Sequence, residues 1–287
     1  MEALKVEVGQ SARNYLLYVP AGLQPGAALL IAFHPSRSNA DEMRQISGAV
    51  LERLARDRGF AIAYPEGYEE HFNDCRKVAS YSARTQNIDD VGFTRAIVAD
   101  VVKRADVNPD RVYILGFSNG AHMAFRLAME APDLVAGVIA IAANLPTAEN
   151  TVCRFAEGRA VPVVFINGTK DPINPYEGGD VTIFGSDDRG NVLSAVQSAQ
   201  LLAERYGLHE LQQMRPPLEV RDLLARWRDW GRPDKPQARV RLITIEEGGH
   251  TIPQAKFDFP ARLRLGKTFR SDVPLESAFD AIGLPGR

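Results

Sequence analysis

Short apolar runs recur along the chain, separated by longer stretches in which apolar residues return every three or four positions. The runs are Arg13–Pro20 (RNYLLYVP), Ala28–Phe33 (ALLIAF), Phe60–Tyr64 (FAIAY), Val112–Leu115 (VYIL), Val138–Ala142 (VIAIA), Val161–Ile166 (VPVVFI) and Val240–Ile245 (VRLITI). Each has strand length, and the intervening stretches have helix length and helix period. Asp41–Arg58 carries an apolar face through Met43, Ile46, Val50, Leu51 and Leu54. Asp90 is read as the N-cap of a helix running to Ala105, with Pro109 beyond its end. Gly120–Ala131 follows a glycine turn, and Val192–Tyr206 stops at Gly207. Leu218–Trp230, stopping at Gly231, is read as one more helix. It sits within an excursion at about residues 207–237, between the last two strands. Strand–helix alternation of this kind predicts a mostly parallel sheet with helices on both faces, and a single domain over residues 1–287.

Composition narrows the partners. The 34 Lys and Arg residues against 36 Asp and Glu leave a net charge of -2. That balance supplies no attraction to nucleic acid or to an anionic membrane, so neither is expected. The most apolar stretch, Ala136–Leu145, has about half the ~20 residues that a spanning helix needs. Met1–Val8 alternates polar and apolar residues and lacks the apolar run of a secretory signal. The expectation is a cytoplasmic chain or one whose signal has been removed, and localisation stays open between them. Two cysteines, Cys75 and Cys153, are too few for a structural zinc site or a disulfide scaffold. Free thiols are expected, because a reducing compartment is the default without a signal; a single bridge is the alternative, since both cysteines follow strands at the carboxyl edge of the sheet.

Candidate chemistry lies where strands end. Gly116-Phe117-Ser118-Asn119-Gly120 directly follows VYIL and opens the helical stretch AHMAFRLAME. This is the strand–turn–helix setting of a nucleophile elbow, in which glycines two residues either side of the serine make room for a strained turn. Ser118 is therefore the expected nucleophile. A serine hydroxyl needs a neighbouring base, and imidazole is suited because it titrates near neutrality. Of five histidines, His250 follows the last strand in Glu247-Gly248-Gly249-His250-Thr251 and is the expected base. His34 ends a strand and suits an oxyanion or structural role. His122 is expected to pack on its helix, and His71 and His209 to lie at the surface. Asp171, after VPVVFI and before Pro172, is the acid expected to hold the imidazole in one tautomer, with Asp180, farther into the loop, as the second candidate. The chain order Ser118, Asp171, His250 is that of the α/β-hydrolase fold. Two backbone N–H groups must then bind the oxyanion. Asn119 supplies one, and Ser36 is chosen for the other, with Arg37 second, because the preceding Pro35 has no N–H.

At this point the chain resembles the esterases known as poly(3-hydroxybutyrate) depolymerases, which are similar to feruloyl and acetylxylan esterases. The resemblance rests on RNYLLYVPAG, FAIAYPEG, FNDCR, DDVGFTRAIV, NPDRVYILGFSNGAHMAFRLA, VPVVFINGTKDPINPYEGG and EEGGHTIP, which run nearly the whole chain. It implies the same triad, no metal and no organic cofactor. Phe72-Asn73-Asp74-Cys75-Arg76 resembles a motif usually written Trp-Asn-Asp-Gly-Arg. It is read either as a loop anchor or, through Asn73 and Asp74, as part of the substrate pocket. Tyr176, in PYEGG, is read either as part of a rigid turn or as a substrate contact, and His34, Phe117 and Thr251 complete the expected contacts. The expected function is hydrolysis of a small or oligomeric ester with a short acyl, hydroxyacyl or aryl group. Feruloyl or acetylxylan ester cleavage is the alternative. Acyl transfer to another alcohol, or a non-catalytic binding role on the same fold, are more distant readings. A modest pocket without a lipase-like lid is expected, because the 216–236 excursion is charged on most faces.

Overall fold

The structure is a computed structural model that describes residues 1–183, 185, 188–212, 215–232, 234 and 239–284. Its strands are β1 Glu2–Val8, β2 Ser11–Tyr18, β3 Ala27–Phe33, β4 Phe60–Pro65, β5 Val107–Phe117, β6 Gly137–Ile141, β7 Val163–Gly168, β8 Gly179–Asp180, β9 Asn191–Val192, β10 His209–Glu210, β11 Leu218–Val220, β12 Leu223–Gly231 and β13 Arg239–Glu246. Its helices are α1 Ala40–Ile46, α2 Val50–Arg58, α3 Ser82–Thr85, α4 Asp90–Ala105, α5 Asn119–Glu130, α6 Ala195–Arg205 and α7 Val273–Ile282.

The main sheet runs β1-β2-β4-β3-β5-β6-β7-β13-β12-β10, with β11 against β12. Its centre, β4-β3-β5-β6-β7-β13, is parallel throughout. Antiparallel pairs flank it, β1–β2 and β2–β4 on one side and β12–β13 on the other. Period-2 side-chain alternation splits each central strand between two cores. From β3, Leu29, Ile31 and Phe33 face the core that takes Phe93 and Ile97 of α4, Met123 and Leu127 of α5 and Leu202 of α6. Ala28, Leu30 and Ala32 face the other, with Met43 of α1, Leu51 and Leu54 of α2 and Phe279 of α7. Each such large apolar side chain contributes about 1.5–3 kcal/mol by leaving water.

Four expectations change. Leu218–Trp230 is not a helix but the strands β11 and β12. Its burial has period two: Leu223, Ala225 and Trp227 are buried while Arg226 is exposed. Its charges are used between neighbouring strands, Arg228 with Glu210, Arg226 with Glu246 and Arg241 with Asp229. The 207–237 excursion thus extends the sheet edge instead of rising over the domain, and its residues 213, 214, 233 and 235–237 lie outside the described residues. The single helix over Asp41–Arg58 is two, because Gly48 and Ala49 take left-handed backbone angles between them. The cap of α4 is Asp89, whose carboxylate accepts from Gly92 N at 2.7 Å. Asp90 is buried instead, bonded to Arg13 Nη2 at 2.9 Å and Asn73 N at 2.7 Å.

The fourth change is Cys75 and Cys153, which form a disulfide with Cα atoms 5.1 Å apart. The expectation of free thiols rested on compartment, whereas the pairing follows from backbone geometry. Val152 N donates to Cys75 O at 3.0 Å, Lys77 N donates to Asn150 O at 2.8 Å, and Arg76 bridges Thr151. These contacts hold the two loops within disulfide reach.

Candidate active site

The central strands deliver the site at one edge of the sheet. Between β5 and α5 the chain reverses within one residue, and Ser118 takes φ 56° and ψ -115°, a conformation rare for a residue with a Cβ. The turn closes only because its flanks lack side chains. A Cβ on Gly116 would lie 2.1 Å from Gly120 O, and one on Gly120 would lie 2.4 Å from Phe33 O. Ser118 is anchored by its own N–H to Ile141 O at 2.9 Å.

His250 leaves β13 through Gly248 and Gly249. A Cβ on Gly249 would lie 2.0 Å from Leu265 O, so only glycine lets this loop pass the chain that returns beside it. His250 N donates to Leu265 O at 2.6 Å, and the ring is buried. Its Nδ1 lies 2.7 Å from Asp171 Oδ2. Asp171, in the loop after β7, accepts at Oδ1 from the backbone N–H groups of Ile173 and Asn174, both at 2.8 Å. Carboxylate and ring are thereby fixed in one orientation.

Ser118 and His250 border the same cavity of about 280 Å³. Its walls are largely apolar, formed by Phe117, Ile173, Val181, Ile183, Leu263 and Leu265, with Pro35, Ser36, Arg37, Arg76 and Arg189 completing it. The Phe117 ring lies 5.1 Å from that of His250. No hydrogen bond links Ser118 Oγ to His250, so of the two contacts expected of the base the structure makes the one with Asp171. The backbone N–H groups of Ser36 and Asn119 make no hydrogen bond among the described residues. For Asn119 this follows from its position at the first residue of α5, where helical N–H groups lack partners. No group of residues suited to a metal ion occurs among the described residues.

Of the expected substrate contacts, Phe117 borders the cavity, and so does Ser36 of the expected oxyanion pair. The others are built into the frame and do not line it. His34 is enclosed, with Nδ1 at 2.7 Å from Pro35 O and Nε2 accepting from Gly67 N at 2.9 Å. Burial lowers its pKa to about 4. Asn73 donates to Asn87 and to Ile88 O. Asp74 is bound to Arg76, Tyr81 and Asn119. Burial, the largest single influence, would raise the Asp74 carboxyl, but the charge and hydrogen bonds of Arg76, together with the Tyr81 hydroxyl, outweigh it and hold the pKa below the usual range. Tyr176 shares a hydrogen bond with Thr244 at 2.7 Å, and Thr251 donates to Lys267 O at 3.2 Å. His122 is fully buried against Phe125, and burial, followed by the charge of Arg76, holds its pKa well below the ordinary value. His71, expected at the surface, is partly buried and stacks on Tyr81 with ring centroids 4.6 Å apart.

The sequence reading missed most of the cavity walls. Leu263 and Leu265 belong to a segment after the base in which Phe257, Phe259, Leu263 and Leu265 alternate with charged or small residues outside any strand or long helix. Apolar residues without a regular element to pack on were the available signal.

A mostly parallel sheet with helices on both faces, and this serine, acid and histidine order along it, define an α/β-hydrolase. The chain belongs to the esterase PHB depolymerase family, whose model matches residues 13–211, and is accordingly a carboxylic ester hydrolase. It is 31% identical over 290 residues to the putative esterase NocK of Nocardia uniformis subsp. tsuyamanensis, across 98% of this chain and 82% of that protein. It is 27% identical over 169 residues to feruloyl esterase B of Piromyces equi, across 58% of this chain but only 31% of that protein. In fold it is similar to the acetyl xylan esterase from Aspergillus awamori, with a TM-score of 0.58 at 13% identity, over 95% and 94% of the two chains.

Proposed function

We propose that this esterase works through a serine acyl-enzyme on esters with short acyl, hydroxyacyl or aryl groups. The observation that carries the reading is the Asp171–His250 hydrogen bond in a loop beside the strained Ser118, with base and serine bordering one small apolar cavity. In this mechanism Ser118 Oγ attacks the ester carbonyl carbon and its proton passes to His250 Nε2. Asp171 stabilises the imidazolium that forms. The N–H groups of Asn119 and Ser36 receive the carbonyl oxygen as it becomes an oxyanion. His250 then returns the proton to the leaving alcohol, and water repeats the sequence on the acyl-enzyme.

A cavity of about 280 Å³ suits a small acyl group. A long chain would gain affinity only from walls that bury it, at about 0.8 kcal/mol per methylene. Among nitrophenyl esters the rate is expected to peak between acetate and butyrate. A steady rise in kcat/KM through dodecanoate would reject this substrate range. Ser118→Ala is expected to lower kcat by about 10⁴-fold or more while the protein remains folded. Hydrolysis at the parent rate would reject the mechanism. Sequence similarity to a feruloyl esterase and to acetylxylan esterase A of Emericella nidulans, 27% identical in each case, makes methyl ferulate and acetylated xylan the first natural-type substrates to compare.

The compartment is part of the same reading. The Cys75–Cys153 disulfide supports an oxidising, extracytoplasmic setting, where such bonds persist. Protein from its native host, alkylated without reductant, should carry no label on either cysteine. Labelling of both would reject the assignment.

A further inference from the structure

Behind the nucleophile elbow lies a buried polar cluster that the mechanism above does not use. Asp74 Oδ2 accepts from Arg76 Nη2 at 2.6 Å, from the Tyr81 hydroxyl at 2.5 Å and from Asn119 Nδ2 at 2.7 Å. Asn119 is held at both ends of its side-chain amide. Nδ2 also donates to Phe72 O at 3.0 Å, and Oδ1 accepts from Phe72 N at 2.8 Å. The segment that supplies these partners is itself fastened, by the Cys75–Cys153 disulfide and by the bridge from Arg76 to Thr151.

A buried carboxylate is costly unless it is paired, so its presence here calls for a task that packing alone would not perform. An oxyanion donor works because it is aimed before charge develops, within about 2.7–3.1 Å of where the oxygen will sit. The residue that Asp74 and Phe72 grip is the one whose backbone N–H is read as that donor. A carboxylate this close would repel a developing oxyanion, and Arg76 cancels its charge.

We propose that Phe72–Arg76 is the positioning element of the oxyanion hole. Asp74, charge-balanced by Arg76 and held by the Cys75–Cys153 disulfide, fixes the Asn119 side chain and through it the Asn119 backbone N–H. The inference rests on the reading of Ser118 as nucleophile and Asn119 N–H as donor. Its test uses nitrophenyl butyrate together with an alkyl trifluoromethyl ketone. On the ketone, Ser118 Oγ bonds to the carbonyl carbon, His250 takes the proton and the carbonyl oxygen becomes an oxyanion, so its Ki reports the hole directly.

Asn119→Ala keeps the backbone donor but removes its restraint. Asn119→Ala and Asp74→Ala are each expected to lower kcat about 10²-fold, with KM changed by less than about two-fold and the ketone Ki raised in proportion to the loss of kcat. Asp74→Asn retains an acceptor for Asn119 and is expected to recover about ten-fold of that loss. The Cys75→Ser/Cys153→Ser protein should lose kcat and ketone affinity together, by a smaller factor. Folded Asn119→Ala enzyme with unchanged kcat and Ki would overturn the proposal. So would losses confined to melting temperature or to KM. If Asp74→Ala does not fold, Asn119→Ala and dithiothreitol-reduced wild-type enzyme give the same two readouts. Failure of the underlying mechanism looks different: Ser118→Ala would keep the parent rate, or the ketone would not bind wild-type enzyme.

Discussion

Both carboxylate oxygens of Asp171 are committed, Oδ1 to two backbone N–H groups and Oδ2 to His250 Nδ1. An amide in its place keeps the shape but turns one oxygen into a donor. In Asp171→Asn the side-chain oxygen, held by the Ile173 and Asn174 N–H groups, would leave the NH₂ facing His250 Nδ1, so the ring would adopt the wrong tautomer. The expected outcome is a fall in kcat of about 10⁴-fold with little change in KM, measured by steady-state kinetics on nitrophenyl butyrate. A fall of less than ten-fold would mean that Asp171 does not orient the base. Ser118, Asp171 and His250 were legible as candidates because each sits beside glycine or proline at a strand exit and the three follow the chain order of an α/β-hydrolase. Asn73 and Asp74 were legible as a motif, open between loop anchor and substrate pocket; the anchor reading holds, and only the turn of the Asp74 side chain toward Asn119 decides it. The pairing of Cys75 with Cys153 was legible only as an alternative to free thiols, because their approach depends on two loops meeting, not on either loop alone.

Most central strands were read to within two residues, because strands buried on both faces are unbroken apolar runs; β5 was read only over Val112–Leu115, because Asn108, Pro109 and Asp110 interrupt its apolar run. The misreading of β12 shows where that signal weakens. Leu223, Leu224, Trp227 and Trp230 satisfy a helical spacing as well as a strand's, and the intervening arginines and aspartates suit either. The antiparallel pairing with β13, Trp227 opposite Ile243, settles the conformation through contacts distant in sequence. Trp227 is 2% exposed, and its indole N–H donates to Ser277 Oγ at 3.0 Å, which ties the sheet edge to α7. Trp227→Ala should therefore destabilise the protein by about 3–5 kcal/mol, read from urea denaturation. A loss under about 1 kcal/mol would show that this edge is not part of the core. The strand β1 and the helix α7 escaped the sequence reading. The first has one polar face and sits at the sheet edge, and the second is short and follows a long irregular segment.

For the molecule as a whole, buried histidines make stability depend on pH. His34 binds its proton only near pH 4, whereas an exposed imidazole does so near 6.5. Between those values the unfolded chain holds the proton and the folded one does not, so stability from this group is fully present above about pH 6.5 and falls as pH drops toward 4. The loss from His34 is about 3 kcal/mol. His122 acts in the same direction, and the buried carboxyl of Asp90, pushed up by burial, acts against them. The cleanest reading is therefore a difference. His34→Gln, which keeps an acceptor for Gly67 N–H, should flatten the decline in urea midpoint between pH 7 and 4 relative to wild type. Parallel curves would show that His34 does not titrate in that window.

The Cys75–Cys153 bond closes a segment of 78-residue separation that contains Ser118 but neither Asp171 nor His250. Stretched by its two ends in optical tweezers, the oxidised chain can lengthen only outside that segment, and the serine stays within a slack ring that bears no tension. Added reductant should release about 270 Å of further contour length, at about 3.4 Å per residue, in one step.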